Sequence, residues 1–149
     1  MCGISGVISR TDTASLPDVI RRVNDTMSHR GPDADGFFIE EGIALGHRRL
    51  SILDLSSAAN QPFTDASGRY VMVFNGEIYN FQEIRKKLPG YPFHTTGDTE
   101  VVIAAYAKFG PECLQLFRGM FALAIWDKAE RSLFLARDRF GVKPLYYFH

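Results

Sequence analysis

The chain has 149 residues, 46% hydrophobic and 23% charged, the make-up of one folded domain able to bury about two-thirds of its unfolded surface. Seventeen Lys and Arg balance seventeen Asp and Glu, so the basic excess that a nucleic-acid partner calls for is missing. Two distant cysteines, Cys2 and Cys113, offer neither a disulfide framework nor a metal cluster. With no secretory leader and no apolar run near ~18 residues, the expectation is a cytoplasmic protein that does not enter a membrane.

"CGISGVIS" sets Ile4, Gly6 and Ile8 against Gly3, Ser5 and Val7, the period of a short strand with glycines where a neighbour packs closely. The period then lengthens. Leu16, Val19, Ile20, Val23 and Met27 share one helical face, with Ser15 as N-cap and Pro17 in the first turn. "HRGPDADG" reads as a polar turn, and "FFIEEGIALGHRRLSILDL" as a hairpin with one strand over 37–40, a turn near Gly42 and a longer strand from Ile43. "YVMVFNGEIYN" is a further strand, with Asn75-Gly76 inside it or just after it. "FQEIRKKL" predicts a short helix whose basic run over 85–87 is a solvated face. "TEVVIAAYAKFGP" predicts a buried helix stopped by Gly110 and Pro111. "MFALAIWDKAERSLFLARD" gives two strands around a polar turn. Strands with helices outside them make an α+β fold.

Cys2 is the residue most in need of explanation. A cysteine usually packs as a small buried hydrophobe, but this one follows the initiator methionine. Trimming Met1 would give Cys2 a free α-amine, whose pKa of ~7.7–8.0 lies just below the ~8.5 of a thiol. Nucleophile and base would then be one residue, as in N-terminal threonine enzymes. No catalytic histidine is needed, and His29, His47, His94 and His149 read as structural. By spacing Asn75-Gly76 favours a hairpin turn, a reading compatible with an oxyanion hole built from a side-chain amide and a backbone N–H. Of Arg48 and Arg49 on one strand, one faces solvent and the other the interior. The interior one needs an anion, either a substrate carboxylate or an internal Asp or Glu. Asp98 is a helix cap that gains another meaning only beside an ammonium-bearing ligand.

Eight blocks in order, "MCGISGV", "SHRGPDADG", "GHRRLSILDL", "QPF", "VFNGEIYNF", "DTEVVI", "FRGMFALAIWD" and "ARDRFGVKPLYY", resemble the glutamine-hydrolysing domain of class II glutamine amidotransferases. "HRGPD" and "GHRRLSI" resemble the asparagine synthetase branch in particular. The resemblance implies an N-terminal-nucleophile hydrolase fold, a four-layer αββα sandwich of two antiparallel sheets. It makes Cys2 the nucleophile on the glutamine side-chain amide and Asn75 and Gly76 the oxyanion donors. Arg49 would bind the substrate α-carboxylate, supported by the backbone of Leu50, Ser51, Ile52 and Leu53, while Asp98 with Glu77 would bind the α-ammonium. Gly97 departs from the serine that many relatives carry before that aspartate.

The resemblance also implies that residues 1–149 are the N-terminal portion of a longer protein, incomplete even for this domain. No metal or cofactor is expected in this portion. ATP and Mg²⁺ belong to a C-terminal synthetase domain that amidates aspartate, and a homodimer is a further expectation. Two other readings stand beside this one: a synthetase-like protein with a sugar or peptide acceptor, and a non-catalytic glutamine-binding module. Truncation would leave the strands of "FALAIWD" and "SLFLARD" short of neighbours, giving an unpaired edge prone to association.

Overall fold

The computed structural model describes residues 2–51 and 57–148. Its strands are β1 (Gly3–Ile8), β2 (Ala34–Glu40), β3 (Ile43–Arg49), β4 (Phe63–Thr64), β5 (Tyr70–Ile78), β6 (Gly119–Asp127) and β7 (Ser132–Arg137). The helices are α1 (Leu16–Thr26), α2 (Phe81–Arg85) and α3 (Asp98–Phe109), followed by a 3₁₀ segment, Gly110–Leu116. One antiparallel sheet runs β1-β3-β2 and the other β4-β5-β6-β7.

Side-chain alternation decides how these layers stack. On β3, Ala44 packs under α1 with Leu16 and Ile20, whereas Ile43 and Leu45 turn the other way. There they meet Val71 and Val73 of β5 and Ala124 and Trp126 of β6, so the two sheets face each other across a shared apolar layer. The opposite face of β5 presents Met72, Phe74 and Ile78 to α3, whose residues from Val101 to Ala105 are all buried. The order is α1, first sheet, second sheet, then α2 and α3. This is the αββα sandwich.

Several local expectations change. Asn75-Gly76 is no hairpin turn: it lies within β5, with Asn75 opposite Ala122 and Gly76 opposite Phe121. β6 comes so close that a Cβ on Gly76 would stand 2.4 Å from the Met120 carbonyl oxygen, which explains the glycine better than turn conformation does. The predicted turn after α1 is shorter than its composition implies, because β2 begins at Ala34 and pairs it with Arg49. Ser15 makes no capping bond; its hydroxyl donates to Asp12 instead. α2 stops at Arg85, which is half-buried and donates from its guanidinium to the Thr95 carbonyl at 2.9 Å. β6 lies between β5 and β7, so among the described residues the unpaired edge falls on β7 alone of the two last strands.

Candidate active site

A cleft of about 120 Å³ opens where β1 begins and β3 ends. Its walls bring together Cys2, Arg49, Leu50, Asn75, Gly76, Glu77 and Asp98, seven of the residues singled out from sequence. Ser51 adjoins Leu50, and its N–H donates to Asp33 at 2.8 Å. Ile52 and Leu53 lie outside the described residues.

Cys2 is half-buried at the foot of β1. Its sulfur sits against the Leu50 backbone: the Leu50 N–H donates to it at 3.4 Å, and the thiol donates to the Leu50 carbonyl at 3.6 Å. Antiparallel pairing of Gly3 with Arg48 puts these two backbones side by side. The Cys2 carbonyl accepts from Arg30 Nε at 3.3 Å, so the loop after α1 also holds Cys2 in place. Gly31 is required there, since a Cβ would approach the Arg48 carbonyl carbon to 2.4 Å.

Strand alternation separates the two arginines as expected, but the outer one is covered by α1 rather than open to solvent. Arg48 turns toward α1, where it pairs with Asp25 and donates to the Asn24 carbonyl. Arg49 turns into the cleft, is buried, and donates from Nη1 to the Asn60 side-chain oxygen at 2.6 Å.

At the far wall, Gly97 occupies the N-cap of α3, and Asp98 is its first helical residue. The Asp98 carboxylate accepts the Ile78 N–H at 2.9 Å and is buried. Burial is the main influence raising its pKa above the usual carboxylate value. The N–H groups of Ile78, Asp98 and Thr99 oppose that rise, and the negative charge of Glu77 adds to it. Two carboxylates lining one pocket favour a cation between them.

A family model described as a glutamine amidotransferase domain matches residues 1–149. The chain belongs to the glutamine amidotransferase domain family. This amidotransferase domain is 45% identical over 99% of its length to asparagine synthetase [glutamine-hydrolyzing] 1 of Bacillus subtilis, of which it spans 24%. It is 41% identical over 99% to asparagine synthetase [glutamine-hydrolyzing] 2 of the same organism, of which it spans 20%. The domain is therefore homologous to the glutaminase part of such synthetases and spans about a quarter of these relatives or less. In structure it is similar to glutamine phosphoribosylpyrophosphate amidotransferase of B. subtilis, with TM-score 0.65 at 19% identity over 92% of this chain and 36% of that one. That likeness is one of fold, the αββα sandwich.

Other residues of the amidotransferase domain brace this cleft without announcing themselves in the sequence. The Gln61 side chain pairs with the Phe74 backbone through both its amide nitrogen, at 3.1 Å, and its amide oxygen, at 2.6 Å. It thereby fixes the strand just before Asn75. Lys143 lines the cleft from the segment after β7. Among the described residues no cluster of His, Cys, Asp and Glu is placed to hold a metal ion, and no helix is long and apolar enough to cross a membrane.

Proposed function

We propose that this chain is the glutaminase part of an asparagine synthetase. The observation that carries the reading is the convergence of Cys2, Arg49, Asn75, Gly76, Glu77 and Asp98 on one cleft. A zwitterionic glutamine would place its α-carboxylate on Arg49, with Leu50 beside it, and its α-ammonium between Asp98 and Glu77. The side-chain amide would then point at Cys2.

With Met1 removed, the α-amine of Cys2 takes the thiol proton, and the thiolate adds to the amide carbon. The oxygen gains negative charge and is held by the Asn75 side-chain amide and the Gly76 N–H. Collapse breaks the C–N bond, and the protonated α-amine returns its proton to the leaving nitrogen, giving ammonia and a γ-glutamyl thioester. Water then adds to the thioester and the thiolate leaves, yielding glutamate.

The longer relatives support a parent in which residues 1–149 form the N-terminal portion. Its synthetase domain would use ATP and Mg²⁺ to amidate aspartate with this ammonia in the cytoplasm. A 38% identical relative named amidase chry2, of Gibberella zeae, favours a second reading in which the parent serves another acceptor. Ammonia release from glutamine, measured with the full-length protein and its Cys2→Ala variant, decides the first half. We expect a fall of at least about a thousandfold; equal rates would remove Cys2 from the chemistry.

A further inference from the structure

Glu100 is almost wholly buried, 1% exposed, yet among the described residues it forms no salt bridge. A carboxylate is kept in such a place only by donors. Its oxygens accept the His94 N–H at 3.0 Å, the Thr95 N–H at 2.7 Å and the Thr95 hydroxyl at 2.7 Å. Glu100 is the third residue of α3, the position from which a glutamate ordinarily reaches back to the N-cap. Here the cap is Gly97 with no side chain to offer, and Glu100 passes beyond it to residues 94 and 95. The same segment is held from the opposite side, where Arg85 Nη1 donates to the Thr95 carbonyl and the guanidinium lies 4.0 Å from the Phe93 ring centroid. The turn between α2 and α3 is thus clamped at Thr95. Thr95, Gly97, Asp98 and Thr99 all line the cleft.

We infer that Glu100 is a positioning residue for the ammonium end of the cleft, and that it sets selectivity for ligands carrying an α-ammonium beside their terminal amide. Asp98 and Glu77 repel one another across a buried pocket, and the arrangement relaxes unless the wall behind Asp98 is rigid. Glu100 supplies that rigidity through backbone donors, without adding a cation that would compete with the ligand. The inference rests on the reading that Asp98 receives an α-ammonium, but it does not need turnover.

The test is equilibrium binding to the Cys2→Ala chain by calorimetry, with L-glutamine and with 4-carbamoylbutanoate, the same amide and carboxylate without the amine. Glu100→Gln keeps the shape but turns an N–H₂ toward donors. We expect it to weaken glutamine about tenfold, with the amine-free ligand changed by less than about twofold. Thr95→Val, which removes only the hydroxyl bond, should move glutamine in the same direction by a smaller factor, and Thr95→Ser should restore it. Equal weakening of both ligands in Glu100→Gln and Thr95→Val would reduce Glu100 to a structural acid, and no weakening of either would remove it from the site. A chain that binds both ligands with this pattern yet releases no ammonia with Cys2 present would sink the glutaminase reading alone.

Discussion

His47 is 1% exposed on the same face of β3 as Arg49, and neither ring nitrogen has a hydrogen-bond partner among the described residues. Burial is the main cause that lowers its pKa to about 4. The Phe74 carbonyl, already holding Gln61, partly opposes the shift, and the Arg49 charge adds to it. An unfolded histidine takes up its proton near pH 6.5, so between pH 6.5 and 4 the unfolded chain binds more protons than the folded one. Stability from this residue is therefore complete above pH 6.5 and falls as the pH drops toward 4. The loss amounts to about 3 kcal/mol over that interval. Urea unfolding across pH 4–7 should show this slope in the native chain and a shallower one in His47→Leu, with carboxylates contributing alike to both. Parallel curves would contradict it. Cys2 could be picked from the sequence by its chemistry and its place behind Met1, whereas Arg49 and Asp98 could be picked only through the family resemblance, since spacing alone leaves Arg48 and Arg49 equivalent and reads Asp98 as a helix cap. Gln61, Arg30 and Glu100 could not, because their partners are backbone groups brought close only by the fold.

Elements show the same division. Helical and strand periods located α1, α3, β5 and β6, since each buries a regular apolar face. Asn75-Gly76 misled because a local turn preference gives way to the pairing of two long strands, where glycine answers a close approach instead. The segment after β7 carries no periodicity at all, yet it is built tightly around Asp138. That carboxylate accepts the N–H groups of Phe121, Phe140, Val142 and Lys143 at 2.9 to 3.2 Å. Burial pushes its pKa up, but these four donors outweigh it and hold the group below the usual carboxylate value. The donors tie β6, opposite Gly76, to the strap that brings Lys143 to the cleft. Asp138→Ala leaves buried N–H groups of Phe121 and Lys143 without an acceptor and should cost about 3 kcal/mol. Asp138→Asn, which keeps one acceptor oxygen, should cost about half of that. Chemical denaturation of the three proteins checks the order, and equal midpoints for all of them would deny Asp138 this role.

At the scale of the whole molecule, two features lie outside the apolar core. β7 ends its sheet with an unpaired edge among the described residues, and Leu135 upon it is exposed. Beyond it Phe140, Tyr146, Tyr147 and Phe148 are each more than four-fifths exposed. One exposed aromatic is ordinary, but several on a chain that also has an open strand edge offer surface that pairs or packs with another chain. With no formal net charge on the chain, long-range repulsion does little to oppose such contact. The 149-residue chain should therefore sediment with a coefficient that rises with concentration. Leu135→Lys combined with Tyr147→Lys puts like charges on both features and should hold it at the monomer value. Because the edge and the aromatics lie away from Arg49 and Asp98 in sequence and line no part of the cleft, glutamine binding should survive in the double variant. A chain that stays monomeric at high concentration without these substitutions would leave the open edge without the consequence assigned to it.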